Sequence, residues 1–166
     1  MSDFDIAIIG AGIAGASLAA EVAEHCSVIL IEAEAHPGYH STGRSAAFWD
    51  ESYGGPQVQP LTTASGPFLA NPPAEFHDGP LIHRRGALHV GTGVQCGLAA
   101  VMLADFARSG VEIAIADRGV VEKMVPGIRS DWTVGLWEPA CAVIDVAALL
   151  AAYLRQAKGL GAKLLC

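Results

Sequence analysis

A glycine-rich turn near the start of the chain has the residue types and spacing that bind phosphate. Gly10, Gly12 and Gly15 lie in the sequence Gly10-Ala11-Gly12-Ile13-Ala14-Gly15, between two apolar stretches. The first glycine permits a sharp turn, the second lets backbone N–H groups approach a pyrophosphate, and the third allows a helix to pack closely on a strand. The positive end of that helix attracts phosphate. The pattern therefore predicts a dinucleotide site, and the alternative is a tight turn without a ligand.

An acidic residue follows at the distance expected for a ribose contact. Glu32 lies twenty positions beyond Gly12, at the end of a second apolar run. A carboxylate at this point accepts hydrogen bonds from ribose hydroxyls and repels a 2′-phosphate, which disfavours NADP. For Glu32 alone, the alternative is a solvated surface carboxylate. Up to this residue the sequence does not distinguish FAD from NAD, because both contain an ADP group.

The elements that must position these residues are predicted from hydrophobic periodicity. Residues 4–9 form a continuous apolar run, which is typical of a strand buried on both faces in a parallel sheet. A long loop at residues 33–55 is too extended to be a simple connection. The predicted helices are residues 13–25, 58–69, 95–108, 117–125 and 146–158, the last with Asp145 as its N-cap, and the other predicted strands are 27–31, 81–83, 87–90, 111–116, 132–137 and 162–166.

Composition excludes several classes of protein. The 166 residues are 52% hydrophobic, which favours a packed core over disorder. The net charge of −7 disfavours nucleic acid and anionic membrane surfaces as partners. The apolar run at residues 6–20 is interrupted by glycine and preceded by acidic residues, so we expect no leader or transmembrane segment and a cytoplasmic protein. The cysteines, which we expect to be reduced and to form no metal site, are Cys26, Cys96, Cys141 and Cys166.

The long loop resembles that of a known family. Its segment Pro37-Gly38-Tyr39-His40-Ser41-Thr42-Gly43-Arg44-Ser45-Ala46-Ala47 resembles the flavin-contacting loop of the D-amino-acid oxidase-like FAD oxidoreductases, most closely of D-arginine dehydrogenases. Further segments that resemble this family extend along nearly the whole chain: Tyr53-Gly54, Pro56-Gln57-Val58, Leu61-Thr62, Ala64-Ser65, Asn71-Pro72-Pro73 and Ile144-Asp145. The resemblance implies FAD as the cofactor. It also implies that Ala14, Glu32 and Ala33 contact its adenosine and pyrophosphate side, and that residues 41–47 run past the pyrophosphate, ribityl chain and isoalloxazine.

The chemistry of the loop agrees with a flavin site. The small side chains of residues 45–47 leave room for a flat ring system, and the hydroxyls of Ser41 and Thr42 can bond phosphate or ribityl oxygens. Arg44 is either a cation beside the cofactor or a solvated loop residue, and we expect His40 to hydrogen-bond within the loop rather than anchor the flavin covalently. The predicted cofactor-binding residues are Gly10, Gly12, Ile13, Ala14, Gly15, Glu32, Ala33, Ser41, Thr42, Gly43, Arg44, Ser45, Ala46, Ala47 and Phe48.

Fewer residues are candidates for contact with the substrate than for contact with the cofactor. Tyr53 resembles an active-site tyrosine that positions the substrate, although an aromatic ring beside Gly54 could merely cover the loop. The basic turn at residues 83–85 either lines a substrate entrance or is solvated surface. Phe48 stands where the D-arginine-type enzymes carry a histidine, and Ala87 where they carry a glutamate. Without that carboxylate a guanidinium has no buried partner, so we expect neutral or apolar substrate side chains rather than arginine.

The sequence as a whole predicts an α/β protein. We expect a Rossmann-like FAD-binding βαβ unit with part of an α+β substrate domain, truncated after a final strand at residues 162–166. Residues 1–55 would be the N-terminal part of the FAD domain, residues 56–140 a partial substrate or cap region, and residues 141–166 the returning helix and strand. With strands missing, we expect the isolated chain to aggregate or to retain FAD weakly.

The predicted reaction follows from the resemblance. It implies an enzyme that moves a hydride from the Cα of a D-amino acid or related amine to flavin N5, after which the imino product hydrolyses to keto acid and ammonia. The electron acceptor that reoxidises the flavin is left open. Two alternatives remain, an FAD-dependent oxidoreductase acting on 2-hydroxy acids and a non-catalytic flavin- or nucleotide-binding fragment.

Overall fold

A parallel βαβ unit occupies the first part of the computed structural model, which describes residues 3–166. Strand β1 (Ile6–Ile9) leads through the glycine turn into helix α1 (Ile13–Val22), and strand β2 (Val28–Ile31) pairs in parallel with β1. Strand β9 (Lys163–Leu165) pairs in parallel with the other edge of β2 and gives the order β1-β2-β9. The predicted strand, turn, helix and strand are therefore present, with α1 ending earlier than the predicted His25.

The remaining elements follow in chain order. The helices are α2 (Gln59–Ala70), α3 (Cys96–Phe106), α4 (Arg118–Met124) and α5 (Val146–Gly159), with one turn of 3₁₀ helix at Gly93–Gln95. The strands are β3 (Phe48–Trp49), β4 (Ile82–Arg84), β5 (Ala87–Gly91), β6 (Ala114–Ala116), β7 (Val134–Glu138) and β8 (Ala142–Ile144). In the described part of the chain, no helix is both long enough and apolar enough to cross a membrane.

The chain divides into two units. The first unit contains the described residues up to Ala47 together with Pro67–Leu81 and Ile144–Cys166, and the second contains Phe48–Gly66 and Ile82–Val143. Each has its own sheet and buried side chains.

The core of the first unit lies between its sheet and two helices. Helices α1 and α5 pack on the sheet face that carries Ile8, Val28 and Leu30, all of which are buried. The buried helix residues Ala16, Ala19 and Ala20 of α1 and Ala152 and Ala157 of α5 are small. Small side chains let the two helices approach closely, as dense packing requires.

The opposite face of this sheet is exposed, which differs from one of our predictions. We predicted that β1 is buried on both faces, but Ile9 is 80% exposed and Ala7 is also exposed. On β9, Leu165 is 57% exposed. The prediction was wrong because α1 and α5 lie on one face only, and no described element covers Ile9 on the opposite face.

The second unit contains short antiparallel strands. Strand β7 pairs with β5 on one side and with β6 on the other, with Ala87 opposite Glu138 and His89 opposite Leu136. A second set has the order β3-β8-β4. The sequence analysis predicted neither β3, which lies within the stretch interpreted as a long loop, nor β8. Strand β6 begins at Ala114 rather than at the predicted Val111, and β7 is shifted to end at Glu138. Such short strands are defined by their pairing partners, which local periodicity does not reveal.

Candidate functional site

The glycine turn between β1 and α1 has the geometry that its spacing predicted. Gly10 has a φ of +93°, a conformation that side chains disfavour. A Cβ atom on Gly15 would lie 2.0 Å from the Gly10 carbonyl oxygen, and one on Gly12 would lie 2.9 Å from Thr42 Oγ1. Each of the three positions therefore requires glycine, Gly10 for its backbone angle and the other two for close approach.

Thr42 connects the long loop to the start of α1. Its Oγ1 accepts a hydrogen bond of 3.0 Å from the Ile13 N–H, one of the amides that have no partner within the helix. Thr42 is buried although it lies in a loop. Its hydroxyl hydrogen is still available to donate to an anion, because the oxygen acts only as acceptor toward Ile13. The loop therefore adds a donor to the positive end of the helix.

Glu32 ties the end of β2 to the glycine turn. Its Oε2 accepts a hydrogen bond of 2.8 Å from the Ala11 N–H, and its Oε1 accepts one of 3.1 Å from the Glu34 N–H. The bond from Ala11, followed by that from Glu34, lowers the pKa of the Glu32 carboxyl below its ordinary value. The side chain is therefore an anion at neutral pH. A carboxylate has about four acceptor positions, so it retains capacity for ribose hydroxyls.

The segment after Gly38 folds into a compact turn. The Gly43 N–H donates to the Gly38 carbonyl at 2.7 Å, and the Arg44 N–H donates to the His40 carbonyl at 3.1 Å. His40 Nε2 lies 2.7 Å from Glu34 Oε1. The Arg44 guanidinium carbon lies 5.0 Å from the centre of the Tyr39 ring, within the range of a cation–π contact. In this structure both His40 and Arg44 thus have partners within the loop.

A cleft of about 350 Å³ joins the turn, Glu32 and the loop, and all of its lining residues belong to the first unit. The predicted cofactor residues that line it are Gly10, Gly12, Ile13, Ala14, Gly15, Glu32, Ser41 and Thr42. The predicted residues that do not line it are Ala33, Gly43, Arg44, Ser45, Ala46, Ala47 and Phe48. The donors facing the cleft are backbone amides and hydroxyls, which suit a pyrophosphate, and the glycine cradle leaves space that a Cβ would fill.

The predicted flavin-side residues lie in an exposed stretch that ends in an unusual backbone conformation. Ala47 has a φ of +52°, and it is the only non-glycine residue with a positive φ in the described range 3–166. Its N–H donates to Ser45 Oγ at 2.9 Å, and its carbonyl accepts from the Ile144 N–H at 2.7 Å. Conformations of this kind are unfavourable for a side-chain-bearing residue and cluster at functional sites. No sequence pattern predicted this conformation.

Tyr53 lies in the second unit, directly after a turn organised by Asp50. Asp50 Oδ1 accepts three hydrogen bonds of 3.0 Å, from the Ser52 N–H, the Ser52 hydroxyl and the Tyr53 N–H. The Tyr53 side chain is 80% exposed. Its backbone is therefore fixed while its phenol extends into solvent.

A second group of ionisable residues, which the sequence analysis missed, lies in the same unit. Asp50, His89 and Glu138 each present a ligand-type atom within 4.8 Å of the others. Burial alone would raise the pKa of Glu138, but His89, Ser52 and the Glu51 N–H outweigh it and lower that pKa. The neighbouring Glu138 carboxylate raises the pKa of His89. A glutamate directly after the apolar residues 134–137 is a weak signal that could have drawn attention to this position.

The chain is similar to known proteins in sequence and in fold. The family described as DAO, FAD dependent oxidoreductase, matches residues 5–166. The fold is similar to that of glycine oxidase from Geobacillus kaustophilus, with a TM-score of 0.79 and 19% identity over 97% of this chain and 46% of that chain. It is also similar to dithionite-reduced, FAD-bound L-alpha-glycerophosphate oxidase from Mycoplasma pneumoniae, with a TM-score of 0.81 and 14% identity over 99% of this chain and 44% of that chain.

A third similar structure is NikD, an unusual amino acid oxidase essential for nikkomycin biosynthesis. The TM-score is 0.78 and the identity 25%, over 99% of this chain and 43% of that chain. The chain thus spans less than half the length of each of the three proteins. Since the family match covers nearly the whole sequence, the predicted α/β fold and the FAD cofactor are confirmed, and the chain belongs to the DAO family of FAD-dependent oxidoreductases.

Proposed function

We propose that this chain provides the ADP-binding part of an FAD-dependent enzyme that oxidises the CH–NH bond of a D-amino acid or a related amine. The observation that carries the proposal is the single cleft that brings together the glycine turn, Thr42 and Glu32. The family match supports the flavin, and two of the similar structures, glycine oxidase and NikD, are by their names oxidases of amino acids.

The residues that line the cleft would bind the pyrophosphate and ribose of FAD, and the exposed residues that follow would contact its ring. The N–H groups at the start of α1 and the Thr42 hydroxyl would hold the pyrophosphate, because they are donors at the positive end of a helix. Glu32 would accept hydrogen bonds from the ribose hydroxyls through its remaining lone pairs. Residues 45–48 would lie along the flavin ring, and their small or flat side chains support that assignment. When bound, FAD supplies the hydride acceptor, which no side chain can replace.

The substrate is proposed to be neutral or apolar. Tyr53 would position it through the phenol hydroxyl, which its fixed backbone and exposed ring make available. Position 87 is an alanine at the start of β5, so it offers no charge to a cationic side chain. An arginine substrate would then lose its hydration without a compensating ion pair at this position.

The first test of the proposed function is flavin retention by the purified protein. Absorbance spectra are recorded before and after FAD is added and the excess is removed. We expect the parent protein to retain a weak flavin signal, in line with the weak FAD retention predicted for the isolated chain. Gly12→Val should retain none, because its side chain would fill the space in front of Thr42 Oγ1. Gly97→Val is the matched control, because a Cβ at Gly97 meets no atom within 4 Å. Equal flavin retention by both variants would contradict the assignment of the cleft.

The second test identifies the substrate class. Anaerobic bleaching of the bound flavin is followed with D-amino acids, their L-enantiomers, simple amines and 2-hydroxy acids. We expect bleaching by neutral D-amino acids or amines and weaker bleaching by D-arginine. Bleaching by 2-hydroxy acids alone would overturn the proposed substrate, and Tyr53→Phe should weaken substrate binding while leaving the flavin spectrum unchanged.

A further inference from the structure

We propose that Asp50, His89 and Glu138 form a binding site for a divalent transition-metal ion of the zinc type in the second unit. This proposal is independent of the proposed enzymatic function. It rests on the separation of the three ligand atoms, on two buried polar atoms that have no partner, and on the way both carboxylates are held.

The strands bring two of the three ligands to one face. Strands β5 and β7 are antiparallel, with Ala87 opposite Glu138. His89 lies two residues beyond Ala87 and therefore on the same face of the sheet as Glu138. Diagonal neighbours of this kind are within reach of long side chains. Asp50, which follows β3, completes the group within 4.8 Å.

The distance between the two sheet ligands suits a metal better than a direct contact. His89 Nε2 lies 3.8 Å from Glu138 Oε2, which is too long for a hydrogen bond. Two ligand atoms that are each about 2.1 Å from a tetrahedral zinc ion are about 3.4 Å apart. A small rotation of either side chain would reach that spacing.

Both of these atoms are buried without a partner. Glu138 is 0% exposed, and Glu138 Oε2 and His89 Nε2 form no hydrogen bond with any described residue. Buried polar atoms are satisfied in nearly all native proteins, so an unsatisfied pair requires an explanation such as an ion. A cation bound between them would supply both the missing bond and the missing charge.

Each carboxylate is fixed through one oxygen. Asp50 Oδ1 accepts the three bonds of the Ser52 and Tyr53 turn, and Glu138 Oε1 accepts a hydrogen bond of 3.1 Å from the Glu51 N–H. One oxygen of each residue is left for coordination. Ligating carboxylates in metal sites are commonly oriented by such outer hydrogen bonds.

The chemistry of the three ligand side chains determines which metal ions the site favours. An imidazole nitrogen with two carboxylates favours zinc, cobalt or nickel over magnesium or calcium, which prefer oxygen ligands alone. Three protein ligands leave a fourth position for water. The ion would connect β5 and β7 with the turn that ends at Tyr53. A proton shared with His89 is the competing occupant, and it would cancel only one of the two negative charges.

Metal binding by the full purified chain tests the proposal. The exposed thiols of Cys96 and Cys166 are first replaced by serine, because thiols also bind zinc. The protein is stripped with a chelator and then titrated with zinc chloride by calorimetry and with cobalt chloride by visible absorbance. We expect one equivalent of zinc to bind with micromolar affinity or tighter, and intense cobalt bands typical of four ligands.

The variants are chosen to preserve the fold. Asp50→Asn and Glu138→Gln each keep the oxygen that accepts backbone hydrogen bonds but lose a ligand oxygen, and His89→Gln removes the imidazole. We expect each to weaken zinc binding by about tenfold or more. His83→Gln and Asp131→Asn are exposed controls and should bind as the parent does. Circular dichroism shows whether each variant folds. If one ligand variant does not fold, the other two ligand variants carry the test.

Three results would overturn the proposal. The first is an absence of stoichiometric zinc binding by the parent protein, which would leave the proton as occupant. The second is an equal loss of affinity in the control variants, which would indicate surface binding. The third is a preference for magnesium or calcium over zinc. None of these results would affect the flavin-retention test, since that test addresses the cleft of the first unit.

Discussion

Two glutamates at the ends of strands illustrate how differently the two units use the same side chain. Glu32 directly follows β2 in the first unit, where it is partly exposed and both of its oxygens accept backbone hydrogen bonds. Glu138 ends β7 in the second unit, where it is fully buried and only one oxygen accepts a bond. Both oxygens of Glu32 have hydrogen-bond partners, and the side chain can still contact a ligand. One oxygen of the buried Glu138 has no partner, and this is the basis of the proposed cation site. Both glutamates lie at the end of a strand, so this position does not determine the role of the carboxylate. Its burial and its hydrogen-bond partners determine that role.

The largest expected effect in this comparison is the loss of the Glu138 side chain. Glu138→Ala should lower the free energy of unfolding by about 3 kcal/mol, because it leaves the buried Glu51 N–H without its acceptor and opens a cavity in place of a fully buried side chain. Urea denaturation in the presence of a chelator measures this without a contribution from bound metal. Glu112→Ala, at an exposed position, is the control. A loss no larger than that of the control would remove the distinction between the two glutamates.

A smaller effect is expected at the turn that Glu32 supports. Gly15→Ala places a Cβ against the Gly10 carbonyl, so the turn must open, at a cost of about 1–3 kcal/mol and with loss of FAD affinity. Gly97→Ala, in helix α3, should instead stabilise the protein by about 0.4–1 kcal/mol. Thermal melts and FAD titration of both variants test the prediction. Unchanged FAD affinity in Gly15→Ala would show that the cleft tolerates an open turn.

The two carboxylates should also differ in their response to acid. The pKa of Glu32 is lowered below its ordinary value of 4.5, so its contribution to stability is fully present above that pH. The contribution is lost as the pH falls through the folded-state pKa. Melting temperatures of the parent and of Glu32→Gln should therefore converge in acid and separate toward neutral pH. A pH-independent gap would contradict this, and Glu24→Gln, at an exposed position, is the control.

The smallest effect concerns a buried thiol, Cys141, which lies near the carboxylates of Asp50 and Glu138. Burial, together with the negative charges of Asp50 and Glu138, raises the pKa of Cys141 to about 11. With a thiol reagent at mildly alkaline pH, Cys141 should react only after unfolding, whereas the exposed Cys96 and Cys166 react at once. Glu138→Gln should increase the reactivity of Cys141 slightly. Rapid labelling of Cys141 in the folded parent, detected by mass spectrometry, would argue against a closed environment.

The site in the first unit could be predicted because its parts are close in sequence. The glycines, helix α1 and Glu32 lie within residues 10–32, and each position has a local physical requirement. Thr42 was predicted as a cofactor contact, but its bond to the start of α1 was not, because it depends on how the loop folds back. The positive φ of Ala47 likewise arises from tertiary contacts.

The second unit was less predictable for the same physical reason. Asp50, His89 and Glu138 are far apart in sequence and meet only through the register of β5 on β7 and the turn after β3. No local pattern specifies that register when strands are this short. Strands β3 and β8 were missed because two or three residues carry too little periodicity. The exposure of Ile9 was missed because an apolar run does not report which of its faces is covered.

The hydrogen bond from the Ala11 N–H to Glu32 limits how the cofactor preference of this protein could be engineered. Exchange of Glu32 for a cationic residue is the obvious route to a nucleotide that carries a 2′-phosphate. That exchange would also remove the acceptor that holds the glycine turn against the end of β2. A successful redesign would have to introduce a replacement acceptor for Ala11 at the same time, so nucleotide selectivity and turn geometry cannot be varied separately.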